Sequence, residues 1–346
     1  CGELFSKAAN DLLAKDETRV RIGPIAYIFW TREETGFNFG TFLNDPQPAD
    51  VKALLEAYRT GLRATATLDA TQFYAAAFSA SGGRVVVRDW LDATLGTAKE
   101  HLARYFRLQE IVGPDGAEAP PLKLVALAGS TVRELKDLTP EVTKALLRVA
   151  LGGGPVPKDL LFEAVRRCRA EGKVNRQHAA LIKMVLLDER EQVRRASVTD
   201  QELVRLDEQS REPAYLCGRL LAILEAVQRE ALGDINASIV DRFFGTASST
   251  PASVFARLVR GAQPHLKTLS RDKPGMHNIF ENQLMDVMQG ISGRDGFPMT
   301  LDLEKQGLFA LGYYHQRAAD RAERIARASR RRAAEGRTGN DSGVPE

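Results

Sequence analysis

Four basic residues form the cleanest basic stripe in the chain. Arg176, Lys183, Arg190 and Arg194 are separated by seven, seven and four positions. At about 100° per residue they fall on nearly one line of a helix. Leu181, Ile182, Val185 and Leu186 supply an apolar side opposite. A cationic line of this kind can follow a phosphate backbone, or it can be a solvated helix face. If it follows a backbone, changing Arg176 and Lys183 together to Ala should weaken DNA binding and lower its salt slope by about one or two units. Three smaller basic sets accompany it. Arg317, Arg321, Arg324 and Arg331 share a face of the last helix. Arg166 and Arg167 lie off the apolar face formed by Leu161, Ala164, Val165 and Cys168, with Glu163 placed to pair with Arg167 at i,i+4. On a strand, Arg84, Val86 and Arg88 share one face and Val85, Val87 and Asp89 the other. Those two arginines can grip a phosphate backbone or simply face water.

Catalytic spacing is absent. The histidines (His101, His178, His265, His277 and His315) form no i,i+4 pair, and no HExxH, GxSxG or paired zinc-ligand spacing occurs. Gly172-Lys173 is followed by Val174, so it is no phosphate loop. No catalytic residue, metal ligand or cofactor is therefore assigned. A nuclease with a dispersed acidic metal site is the alternative to a binding protein, and a helical interaction protein that touches no nucleic acid is a third reading. A net charge of +3 and a pI near 8.7 do not by themselves demand nucleic acid. The distribution of charge has to decide. Cys1, Cys168 and Cys217 are far apart and form no CxxC pair, which fits a reduced, cytoplasmic protein with Cys168 and Cys217 packed as small hydrophobes. No apolar run reaches the ~18 residues of a membrane span.

The elements that must position these residues divide at Gly152-Gly153-Gly154-Pro155. Residues 1–151 read as a mixed α/β part. It contains a short helix over Leu4–Leu13, a strand over Val20–Trp30, a helix over Ala49–Leu62, and a β-hairpin of Phe73–Ser79 with Arg84–Trp90 about Ser81-Gly82-Gly83. Residues 152–335 read as an all-α bundle, and 336–346 as a disordered polar tail. The class is α+β. Ala214–Leu232, closed by Gly233, is the expected central helix.

Ile235–Leu269 reads as two helices about the small-residue turn Gly245–Thr250. Asn236 and Thr250 are the candidate caps, and Pro264 is expected to kink or end the second helix. The turn's hydroxyls can cap the helices or hold a phosphate.

The stretch NASIVDRFFGTASSTPASVF within that region resembles the large subunit of the type I-C CRISPR surveillance complex (Cascade). FYAAAFSASGGRVVVRDWL from Phe73, GGGPVPKDLLFEAVRRCRAEG from Gly152 and QGLFALGYYHQRA from Gln306 resemble the same family in the same order, from about Ile22 to Ala318. The resemblance implies a non-catalytic subunit at the end of an RNA-guided complex. It would help recognise the motif beside the target and hold the opened DNA, while guide RNA pairing supplies sequence specificity. It implies a C-terminal bundle like the Cascade small subunit. The implied partners are guide RNA, target DNA, the other Cascade subunits and a recruited helicase-nuclease. The chain begins at Cys1 and reads as the C-terminal portion of such a subunit, lacking most of its N-terminal part. Met184 is a candidate internal start for a separate small subunit. Arg84, Arg88, Arg166, Arg167, Arg176, Lys183, Arg190, Arg194, Arg317, Arg321 and Arg324 are the residues expected to meet nucleic acid.

Overall fold

The computed structural model describes residues 19–22, 25–31, 37–60, 70–81, 84–193, 203–233, 237–292 and 296–338. The expected helix at Leu4–Leu13 lies outside them. The class is α+β, as the hydrophobic pattern indicates. The chain forms two compact units. One is Cys1–Glu110 with Pro120–Arg167 and Ala180–Ala196, and the other is Ile111–Ala119 with Cys168–Ala179 and Ser197–Glu346. Gly152–Pro155 falls inside the first unit and acts there as a helix stop.

The first unit is built on a four-stranded antiparallel sheet of order β1-β2-β3-β4, with β1 Arg19–Ile22, β2 Ile25–Thr31, β3 Gln72–Ser81 and β4 Arg84–Thr94. The run read as one strand over Val20–Trp30 is two strands paired to each other, with Ile22 opposite Ile25. The Gly23-Pro24 dipeptide explains the break, because Pro has no N–H to give a ladder. The β3–β4 hairpin forms as expected, with Ser81 opposite Arg84. β3 is interior to the sheet and is buried on both faces from Ala75 to Ser79, which suits its Ala-rich sequence. Helices α1 (Phe39–Asn44), α2 (Pro48–Thr60), α3 (Leu95–Gln109), α4 (Leu124–Gly129) and α5 (Pro140–Gly152) belong to the same unit. Phe39 of α1 packs its ring 4.4 Å from that of Phe73, so the sheet and α1 share an aromatic core. Gly153 closes α5 in the left-handed conformation (φ 63°), and a side chain there would strike the ring of His101.

Two helices contribute residues to both units: α6 (Lys158–Glu171) and α7 (Arg176–Val193). The second unit continues with α8 (Pro213–Leu232), α9 (Ile239–Ala247), α10 (Pro251–Asp272), α11 (Pro274–Ser292) and α12 (Leu303–Thr338). α8 is buried continuously from Ala214 to Leu224 and packs against each of α9 to α12, so it is the central helix. Ser238, not Asn236, caps α9. Its hydroxyl accepts from Asp241 N, while the Asp241 carboxylate accepts from Ser238 N. Pro264 does not end its helix. α10 runs on to Asp272 past Pro264, which lies on its exposed side. α12 reaches Thr338, past the point where a disordered tail was expected to begin, and 339–346 lie outside the described residues.

α8 and α12 meet at two glycines. A Cβ on Gly218 would collide with the Phe309 carbonyl oxygen and come within 2.8 Å of Tyr313 N. A Cβ on Gly312 would collide with the Tyr215 carbonyl oxygen and come within 2.9 Å of its carbon. Both obstacles are backbone, which cannot rotate aside. Gly218→Ala should therefore destabilise the protein by about 1–3 kcal/mol despite the better helix propensity of Ala. Gly261→Ala, in exposed α10 with nothing within 4 Å, should stabilise by about 0.5–1 kcal/mol. Denaturant unfolding of the two variants beside the wild type checks both signs.

Candidate nucleic-acid interface

The line of cations expected on α7 is not a solvent face. Every residue of α7 from His178 to Asp188 is buried. Lys183 has 0% exposure, and its Nζ donates to the Arg107 carbonyl oxygen at 3.0 Å. It belongs to the core of the first unit and meets no phosphate. Arg176 is half-buried, and burial pulls its guanidinium below the usual range, offset in part by the Tyr314 hydroxyl. The side chain of Arg190 and all of Arg194 lie outside the described residues. The alignment misled because a helix buried all round has no polar side for its cations to mark. Its charges are satisfied inside instead. Asp188, 1% exposed, accepts from Val156 N at 2.8 Å and pairs with Arg104 of α3, which ties the segment after α5 to the interior.

On α6, Arg166 is exposed and pairs with Glu163 at i,i+3, N···O 2.7 Å. Arg167 is buried, so it lies on the packed side and not off it. On the hairpin, a β-bulge falls where Arg88 was expected to alternate. Ala77 pairs with Asp89 and Phe78 with Val87, which leaves Arg88 as the extra residue. Val87 and Arg88 are consequently both exposed, while Asp89 turns inward to Arg148 of α5 at 2.9 Å. Burial alone would raise the Asp89 carboxyl. Hydrogen bonds and charge from Arg148, with the charge of Lys144, outweigh it and hold the group below its usual value. Arg88 stays on the surface, its Nε donating to Ser79 Oγ at 2.7 Å. The Arg84 side chain lies outside the described residues.

The hydroxyls of the α9–α10 turn point back into the fold. Ser248 Oγ and Ser249 Oγ donate to the Gly245 carbonyl at 3.1 and 2.9 Å, and Thr250 Oγ1 donates to that of Thr246 at 3.3 Å. They satisfy the carbonyls that end α9, which is the capping reading of this turn. Thr250 occupies the N-cap position of α10 without a side-chain cap bond.

Two faces of the second unit are basic and exposed. The first is the outer part of α12, expected from its spacing. Arg317, Arg321 and Arg324 are exposed, and none of residues 319–332 is buried. Arg317 is the anchored member. Its Nη1 donates to Tyr313 Oη at 3.1 Å, and its Nε lies 3.8 Å from Glu225. Every cation beyond Lys305 in the chain is an Arg. The second face was missed. Arg257, Arg260, Lys267 and Arg271 of α10 are all exposed, opposite buried Val254, Phe255, Leu258, Ala262, Leu266 and Leu269. The signal was present: from Arg242 to Arg271 the chain holds five Lys or Arg and no Asp or Glu.

Over residues 1–320 the chain matches the family described as CRISPR-associated protein (Cas_Csd1). It belongs to the Cas_Csd1 family. No curated protein matches it. The family match begins at residue 1, so the reading of this Cas_Csd1 member as only a C-terminal portion is not borne out. Among the described residues no group of three or more His, Cys, Asp or Glu side chains is arranged to hold a metal ion. Among them, too, no helix is long and apolar enough to cross a membrane.

The burial of Lys183 changes what its substitution tests. Lys183→Ala should cost about 2–4 kcal/mol of stability, as for other long side chains removed from a core. The salt slope of nucleic-acid binding should stay at the wild-type value. Thermal unfolding together with a salt titration of binding separates the two effects.

Proposed function

We propose that this Cas_Csd1 member is a non-catalytic nucleic-acid-binding subunit of an RNA-guided CRISPR interference complex, the large subunit of a type I-C Cascade. In this reading it assists target recognition and holds the opened DNA strands in the cytoplasm. Its partners are guide RNA, target DNA, the other Cascade subunits and a helicase-nuclease recruited to cut. Family membership supports the CRISPR setting. The observation that carries the binding role is the outer part of α12. It is a helix whose first half is packed, with Phe309, Leu311 and Tyr313 in the core, and whose second half presents Arg321, Arg324, Arg330, Arg331 and Arg332 to solvent. Guanidinium groups present a planar fork of donors to phosphate, where an ammonium offers only a point charge. Arg317, fixed by Tyr313 and Glu225, sets the inner end of that row.

The competing reading is a nuclease with a dispersed acidic metal site. One assay addresses both. The purified protein is titrated into labelled single-stranded and duplex DNA over a salt series, with and without magnesium or manganese. The proposal expects binding that weakens steeply with salt, without strand scission. The pair Arg321→Ala and Arg324→Ala should then lower the salt slope by about one to two units while leaving the unfolding temperature unchanged. Metal-dependent cleavage would replace the proposal with the nuclease. Binding absent even at low salt would remove both.

A further inference from the structure

We infer that the exposed face of α10 is a second, separate contact with a nucleic-acid phosphate backbone, made by Arg257, Arg260 and Lys267. The inference rests on the binding role proposed above and adds a site to it. Taken at 100° per residue, Arg257, Arg260, Lys267 and Arg271 fall within about 80° of one another, directly opposite the buried side of the helix. Arg271 is bound to its neighbour Asp272, with Nε···Oδ1 at 2.6 Å, and is set aside. The other three are in no ion pair among the described residues. That distinguishes this face from an ordinary solvated one. α6 mixes signs on its surface and pairs them, as Arg166 with Glu163. α10 has no acid before Asp272 with which to do so. Like charges three and four residues apart repel along a helix, and a polyanion laid against them removes the repulsion.

The geometry suits a continuous backbone. Arg257 and Lys267 are ten residues apart, about 15 Å along the axis, which spans roughly four phosphate steps of one B-form strand. Between Arg260 and Lys267 the exposed residues are Gly261, Gln263 and Pro264, and Pro264, which lies on the line itself, has no long side chain. Arg257 is held in position, its guanidinium 4.9 Å over the ring of Phe243 on α9. With one cation pre-oriented and the others exposed, the face fits a phosphate backbone. DNA and RNA strands share that chemistry, so the ligand is a nucleic-acid backbone of either kind.

The test uses the full chain and four labelled probes: single-stranded DNA, duplex DNA, single-stranded RNA and an RNA–DNA hybrid. Arg257→Ala/Arg260→Ala/Lys267→Ala should weaken binding about tenfold or more at 0.15 M salt and lower the salt slope by about two to three units for at least one probe. The probe or probes affected identify the strand. The charge-preserving set Arg257→Lys/Arg260→Lys/Lys267→Arg should keep the slope. In the wild type, acylation of Lys267 read by mass spectrometry should fall several-fold when that probe is bound. If the triple Ala variant melts as the wild type does and binds every probe with unchanged slope, or if Lys267 reacts equally with and without probe, α10 is not a contact. That result, with the Arg321/Arg324 variant still impaired, would leave the proposed function standing. No binding to any probe would end both.

Discussion

The close approach of α8 and α12 is the constraint on which the second unit depends. Gly218 and Gly312 each face the other helix's backbone, and neither position has room for a methyl group. At that separation, polar side chains of the two helices must satisfy one another, because water has no access. Tyr215 Oη meets His315 Nδ1 at 3.0 Å, Arg219 Nε donates to Gln316 Oε1 at 3.0 Å, and Tyr313 Oη donates to Glu225 at 2.7 Å. Each pair fixes register along the helices, since sliding one past the other would strand several buried polar groups together. The glycines set the distance and the polar pairs set the position.

That seam also explains why α12 can be so long and so cationic. Its residues from Phe309 to Gln316 are buried, and Tyr314 Oη donates to the Val112 carbonyl at 2.8 Å. Gly116, with φ 77°, lets its loop press on Ala318 and Ala322, where a Cβ would sit 2.8 Å from the Ala322 methyl. Beyond this grip the arginines extend along a helix that costs the core nothing. The transition is marked by Asp320. Burial pushes its carboxyl above the usual range against the pull of donors from Gln316 and Gln283, each at 2.9 Å. Inward of it polar groups are paired in the core, and outward of it they meet solvent.

The sequence was readable wherever one local rule sufficed. The β3–β4 hairpin followed from Ser81-Gly82-Gly83 between two apolar runs. α8 followed from Pro213, Gly233 and an apolar run between them. The class and the central helix of the bundle needed nothing more. Legibility failed where tertiary context reversed a local rule. Gly23-Pro24 divided an apolar run that periodicity alone joined. The bulge at Arg88 could not be seen because one extra residue leaves the composition of a strand unchanged. A kink or an end is expected at Pro264 from the sequence, yet α10 continues, with Ala262 and Leu266 buried on either side of the proline.

Lys183 and Lys267 show why the basic faces were the hardest part to read. Both lie on helices with strong apolar patterns, and both align with other cations. Lys183 is surrounded because α7 is enclosed on every side, a property of the helices around it and not of its own residues. Lys267 is open because only one side of α10 is packed. Alignment of cations does not separate these cases. The breadth of the apolar pattern does. In α7 the uncharged residues from Ala179 to Leu187 run unbroken except for Lys183, and so occupy every direction about the axis. In α10 the buried residues Val254, Phe255, Leu258, Ala262, Leu266 and Leu269 stay within a limited arc. A cation set in an all-round apolar run is drawn inward and satisfied by a carbonyl. The same cation opposite a bounded apolar arc remains in water, where its field reaches a ligand.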